Sequence, residues 1–245
     1  MKIIEKESGI QSSGAKFHTA DRPENLSDFL NYVNLSLIVG LPASGKSSLI
    51  KTLLNGTREN NLYNNVFNSV YYISPSDTMD LNLPDNKIIN LDKEPLEIIL
   101  QGIIDSEEGQ GEEDDPHRVL IILDDAVNYI NTNKKALSVF RKLVMNGRHI
   151  LGRYSSVAVW IVTQKIKSVP LTIRSQANQV FFFDSTKAEK EIVRDEFTPL
   201  DRKEANQLYE YVFDKPHNFL FINLQIPKAK RMFKKFNQLI LKNFN

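Results

Sequence analysis

The stretch LSLIVGLPASGKSSL, residues 35–49, decides how the rest of the chain is read. Leu35 to Val39 is an unbroken apolar run that stops at Gly40, the pattern of a strand buried on both faces of a parallel sheet. Gly40 to Ser47, GLPASGKS, then satisfies GxxxxGK[ST] at every defined position. Ser48 to Leu54 has the spacing of a helix, with Leu49, Ile50, Leu53 and Leu54 on its inner side. Strand, glycine loop and helix in that order make a phosphate cradle. Glycines let successive backbone N–H groups point into one concavity, and the helix N-terminus adds partial positive charge. The expected phosphate-binding set is Gly40, Leu41, Pro42, Ala43, Ser44, Gly45, Lys46, Ser47 and Ser48. Lys46 is expected on the β- and γ-phosphates of a nucleoside triphosphate, Ser47 on Mg²⁺ and Ser48 on the α-phosphate.

Further apolar runs lie downstream: Ser69 to Ile73, Lys87 to Leu91, Arg118 to Leu123, Val157 to Val162, Gln179 to Phe183 and Phe219 to Leu224. Helical spacing separates most of them, over Pro95–Ile104, Ala136–Met145, Ser185–Glu196 and Pro199–Val212. Strands alternating with helices predict an α/β fold: a P-loop NTPase with a mainly parallel central sheet flanked by helices. The organisation expected is an N-terminal arm and short helix (1–33, the helix near Leu26–Val33) and a P-loop ATPase domain (34–225). A basic amphipathic helix (226–245) follows, with Met232, Phe233, Phe236, Leu239 and Ile240 on one face.

Two strand ends carry chemistry. LIILDD places Asp124 and Asp125 directly after an apolar run. Adjacent carboxylates are costly to hold unless a cation compensates them. Asp124 is therefore the expected Mg²⁺ carboxylate, and Asp125 the group that orients or deprotonates the attacking water. A solvated strand end is the plainer alternative. The next run ends in Thr163 and Gln164; an amide there can bind the γ-phosphate or the lytic water, or merely cap a turn. The acidic pair and Gln164 are expected to converge on the crevice outside the strand C-termini.

Composition excludes several classes. With no cysteine in 245 residues, disulfides, thiolate metal sites and thiol nucleophiles are ruled out. No apolar run reaches the roughly 18–20 residues that span a bilayer. The start of the chain lacks the apolar core of a signal peptide, so a soluble intracellular protein without a membrane partner is expected. The net charge of +1 hides an uneven distribution. Asp105 to Asp115 is strongly acidic, whereas no acidic residue follows Asp214. The basic tail reads either as an amphipathic helix packed on the domain or as an element that tracks DNA phosphates or docks on a capsid.

Negative evidence narrows the branch. The nearest match to a GTPase base-reading NKxD is Asn133-Lys134-Lys135-Ala136, which lacks the aspartate; DxxG and LSGGQ are absent. With LIVGLPASGKSSL, VYYISPS, LIILDDA, NGRHI, VWIVTQ and LTIRSQANQVFFF in that order, the chain resembles the genome-packaging ATPases of large DNA viruses and virophages, in the RecA-like FtsK/HerA branch. The resemblance covers about residues 35–183. It implies a homo-oligomeric ring, pentameric or hexameric, that drives double-stranded DNA into a capsid in the cytoplasm of an infected cell. It also implies that Lys46, Asp125 and Gln164 work with an arginine from the next subunit. Arg148 and Arg174 are the candidates, with Arg153 behind them, and each could instead form an ordinary ion pair. A nucleotide or nucleoside kinase, and a nucleotide-switched assembly protein with little turnover, stay open beside this reading.

Overall fold

The computed structural model describes residues 2–6, 29–55, 62–76, 81, 83 and 87–242. Its strands are β1 (Lys2–Lys6), β2 (Leu35–Val39), β3 (Ser69–Ser74), β4 (Ile88–Asn90), β5 (His117–Asp124), β6 (Ser155–Thr163), β7 (Gln179–Phe183), β8 (Phe219–Asn223), β9 (Met232–Lys234) and β10 (Asn237–Lys242). They form one sheet in the order β1-β10-β9-β8-β7-β2-β6-β5-β3-β4. From β4 to β7 every neighbouring pair is parallel. From β7 to β1 every pair is antiparallel. The α/β, mainly parallel architecture read from the alternation is therefore the one observed.

Alternation along the strands builds a core on each face of the sheet. Val119, Ile121 and Leu123 of β5, with Val157, Val159 and Ile161 of β6, face one side. There they meet α2 (Leu96–Glu107), α3 (Val127–Thr132), α4 (Lys134–Asn146), α6 (Lys187–Phe197) and α7 (Arg202–Val212). Leu120, Ile122, Ala158, Trp160 and Val162 face the other side, under Leu49, Ile50 and Leu53 of α1 (Lys46–Asn55). All nine residues of β6 are buried, as expected of a strand flanked by β2 and β5. Burying each large apolar side chain stabilises by about 1.5–3 kcal/mol, which makes these strands a stiff mount for whatever follows their ends. Caps set the helix starts. Asn133 accepts from the Lys135 and Ala136 amides at the head of α4, and Asp201 and Glu204 form a capping box on α7.

The tail differs from its expected form. Residues 232–242 form the β9–β10 hairpin, turned at Lys235 with φ +55°, and not a basic amphipathic helix. The reason is tertiary. β8 offers an open edge, and Met232 to Lys234 pair with Ile222 to Leu220 across it. Phe233 then packs 5.1 Å from Phe221, ring to ring. An apolar pattern sparse enough to suit either period follows the hydrogen-bonding edge beside it. The N-terminal arm is also partly structured, since Lys2–Lys6 is β1 and pairs with β10. Residues 26–28 of the expected helix near Leu26–Val33 lie outside the described residues, and residues 29–33 are not helical. Two short helices had no periodic signal: α3, and α5 (Leu171–Arg174). Among the described residues, no helix is long and apolar enough to cross a membrane.

Candidate active site

Parallel strands bring their C-terminal ends to one edge, and the predicted residues gather there. β2 lies between β6 and β7, with Val39 opposite Thr163 and the Gly40 amide donating to the Thr163 carbonyl at 3.2 Å. The phosphate loop thus starts beside Gln164. β5 is the next strand over, so Asp124 and Asp125 end one strand further along the same edge. Gln164 Nε2 donates to Asp125 Oδ2 at 3.3 Å, closing the gap across β6.

The loop has the backbone of a phosphate cradle. Ala43 and Gly45 hold φ of +58° and +108°, the left-handed path that turns successive amides inward. At Gly40 an added Cβ would lie 2.5 Å from Ser44 Oγ and 2.7 Å from Phe183 Cβ, so glycine is required by space. α1 begins at Lys46 with no acidic residue in its first turn, leaving its N-terminal amides and dipole for an anion. Lys46 Nζ donates to the carbonyls of Gly40 at 2.7 Å and Leu41 at 3.0 Å. Burial lowers the Lys46 ammonium from its usual range, and the charges of Asp125 and Asp124 partly oppose this. One cation and two carboxylates therefore share one electrostatic neighbourhood.

Asp124 accepts a hydrogen bond from Tyr72 Oη at 2.5 Å. Burial nevertheless pushes its carboxyl above the ordinary aspartate range; Tyr72 and Lys46 pull it down, and the charge of Asp125 adds to the rise. A divalent cation would relieve that cost, so the residues present fit Mg²⁺. No group of three or more His, Cys, Asp or Glu ligands occurs among the described residues. An ion held by Asp124, the Ser47 hydroxyl, phosphate oxygens and waters needs none. Asp125 has φ +50°, uncommon for a residue with a side chain, which aims its carboxylate away from the line of β5 toward Gln164.

Sequence reasoning missed two contributors. Tyr72 comes from β3 and looked like one more core aromatic. His217 comes from the turn before β8, and its Nδ1 lies 3.1 Å from the Ser44 carbonyl. Because β8 runs antiparallel to β7, its beginning reaches the edge where β2 ends. The only sequence signal was turn chemistry, Lys215-Pro216-His217-Asn218.

The arginines do not join this cluster. Arg174 Nε and Nη2 each reach Glu196 at 2.6 Å, and Nη1 donates to the Val169 carbonyl at 3.0 Å. That fork is occupied by a bidentate clamp between α5 and α6. Arg148 and Arg153 lie between α4 and β6, at the N-terminal ends of the strands, the edge opposite the phosphate loop. Arg148 is exposed, and Arg153 lies 5.2 Å from the Tyr154 ring.

No protein-family model matches the chain, and no curated protein matches it by sequence. Solved structures do share its fold. The genome packaging NTPase B204 from Sulfolobus turreted icosahedral virus 2, in complex with AMPPCP, superposes with a TM-score of 0.56 at 13% identity, covering 86% of this chain and 99% of that one. B204, the DNA-packaging ATPase of Sulfolobus Turreted Icosahedral Virus, gives 0.53 at 13% identity, covering 85% and 97%. EssC (ATPases 2 and 3) from Geobacillus thermodenitrificans gives 0.52 at 15% identity, covering 85% of this chain and 38% of that one. The similarity is one of fold, in agreement with the mainly parallel α/β architecture described above.

Proposed function

We propose that this chain is an ATPase that drives double-stranded DNA into a viral capsid, working as a pentameric or hexameric homo-oligomeric ring in the cytoplasm of the infected cell. The observation behind this reading is the meeting of Lys46, Asp124, Asp125 and Gln164 at the ends of β2, β5 and β6. A phosphate cradle alone binds nucleotide; a carboxylate beside an amide sensor adds a place for water.

In this reading the backbone amides of residues 43–48 and Lys46 hold the phosphates. Ser47 and Asp124 would hold Mg²⁺, which would supply neutralisation of the phosphate charge. Asp125 takes a proton from water as its oxygen bonds to the γ-phosphorus, and the bond to the bridging oxygen breaks to leave ADP and phosphate. Gln164 hydrogen-bonds Asp125, so displacement of that carboxylate reaches the β6–α5 loop directly. An arginine from the next subunit stabilises the transferred phosphoryl group. Arg148 suits this role better than Arg174, because no ion pair holds it among the described residues. The two B204 structures, a DNA-packaging ATPase and a genome packaging NTPase of viruses, match over 97% and 99% of their own chains, which favours genome packaging over other cargo.

The test is ATP turnover with and without double-stranded DNA. DNA should raise the rate and Lys46→Ala should abolish it, with rings visible by electron microscopy when ATP and DNA are both present. Turnover indifferent to DNA removes the motor reading and leaves an ATPase; no turnover in any mixture removes the ATPase.

A further inference from the structure

His217 is exposed and holds φ +62°, an unfavourable conformation for a residue with a Cβ. It follows Pro216 in a turn closed by the Asn218 amide donating to the Lys215 carbonyl at 3.3 Å. Proline at the second position and a left-handed residue at the third fit a type II turn, where glycine or asparagine is the favoured third residue. An imidazole at this point is a local conflict, and such conflicts concentrate where a side chain has a task.

The task is visible in its contact. A carbonyl can only accept, so the 3.1 Å approach of Nδ1 to the Ser44 oxygen means that Nδ1 carries the proton and donates. Ser44 directly precedes Gly45, whose φ of +108° turns the loop into α1. A Cβ placed on Gly45 would touch Phe183 at 3.4 Å and His217 at 3.5 Å, so the ring packs along that bend. The turn itself is anchored. Asp214 accepts from Asn218 Nδ2 at 2.7 Å and from Lys234 Nζ at 2.9 Å, and the Lys235 amide donates to the Phe219 carbonyl at 2.9 Å. The β9–β10 hairpin thus fixes the turn, and the turn fixes the loop.

From this geometry we propose that His217 is a positioning residue of the phosphate loop. Its Nδ1–H holds the Ser44 carbonyl outward, so that the amides of the loop stay turned inward to receive the triphosphate of a nucleoside triphosphate. The C-terminal hairpin supports the site through Lys234 and Asp214. The proposal rests on the nucleotide-binding reading above, and it accounts for a strained residue that no part of that reading uses.

Three variants of the full chain separate the hydrogen bond from the backbone. His217→Gly keeps the left-handed φ without strain and removes the donor. His217→Asn keeps the φ and supplies a short amide donor. His217→Ala loses both. Binding of mant-ATP with Mg²⁺ should weaken about fivefold or more in His217→Gly, the loss of one hydrogen bond, and recover in His217→Asn. Thermal stability of His217→Gly should equal or exceed the wild type. Without nucleotide, amide hydrogen exchange over residues 40–45 should be faster in His217→Gly than in His217→Asn. If His217→Gly binds within twofold of the wild type, or His217→Asn restores neither binding nor slow exchange, this proposal is overturned alone. If the wild-type chain binds no mant-ATP, the nucleotide reading falls with it.

Discussion

Tyr72 on β3 donates its hydroxyl to Asp124 on β5 at 2.5 Å, although the two residues are not opposite each other: Tyr72 pairs with Ile122. The phenol therefore reaches along the sheet to the carboxylate beyond the strand end. Burial, then the bond to Asp124 itself, pushes the Tyr72 hydroxyl far above its usual range, so it remains a donor at any working pH. Tyr72→Phe should leave ATP binding in EDTA unchanged while weakening Mg²⁺-dependent turnover about tenfold or more, as loss of a support behind a metal ligand does. A titration of ATPase rate against Mg²⁺ measures this, and an unshifted midpoint with a normal rate would show that Tyr72 is only core.

Asp125→Asn separates chemistry from binding. Asparagine tolerates the left-handed backbone that Asp125 holds at φ +50°, so the fold should be undisturbed. The side chain can still hydrogen-bond, but it cannot take a proton. Turnover should fall by about 10²-fold or more while mant-ATP affinity changes little. Equal losses in affinity and rate would place Asp125 in binding.

Glu107 offers a pH prediction far from the crevice. Its buried carboxylate accepts from Tyr71 Oη at 2.5 Å and Lys87 Nζ at 2.9 Å, and lies 2.5 Å from His117 Nε2. Burial alone would raise its pKa; the bonds from Tyr71, Lys87 and His117 overcome that and hold it at about 2, against 4.5 when free. The folded value lies below the unfolded one. The stabilisation is therefore complete above about pH 4.5 and is lost as pH falls toward 2. With partial solvent screening, that shift corresponds to about 1–3 kcal/mol. Glu107→Gln should lower stability by about that much at pH 7 and by progressively less between those limits, as measured by urea unfolding. A gap that stays constant with pH would rule the linkage out.

The reach of the sequence can be traced through the same residues. Gly40 to Ser47, Asp124, Asp125 and Gln164 were legible because each follows an apolar run, and parallel strands deliver their ends to one edge whatever their order. Tyr72 was not, since a tyrosine in an apolar strand looks alike whether its hydroxyl meets water or Asp124. His217 was hidden for a topological reason. Only the antiparallel turn from β7 to β8 brings the start of β8 to the nucleotide edge, and strand direction at the sheet margin leaves no mark in hydropathy. The tail misled for a related reason: Met232, Phe233, Phe236 and Leu239 suit a helical stripe, but the free edge of β8 claimed Met232 and Phe233, and the hairpin then carried Leu239 into β10. Arg174 was legible as a cation and not as a clamp, because Glu196 is distant in sequence and adjacent only after α5 and α6 pack.

The two arginines give opposite predictions. Arg174→Ala removes a bidentate pair whose side chains are 13% and 27% exposed, so it should cost about 1–2 kcal/mol of stability whatever it does to turnover. Arg148 is exposed, so Arg148→Ala should change stability by less than about 0.5 kcal/mol. If Arg148 serves the site of a neighbouring subunit, its loss should cut turnover by about 10³-fold in a ring made only of that variant. Complementation then identifies the geometry. Arg148→Ala subunits retain Lys46 but offer no arginine, whereas Lys46→Ala subunits offer Arg148 but bind no phosphate. Mixed rings should regain turnover that neither variant shows alone, because some interfaces pair an intact Lys46 with an intact Arg148. Mixtures as inactive as their components would show that Arg148 does not act across the interface, and would leave Arg153 as the arginine to examine next.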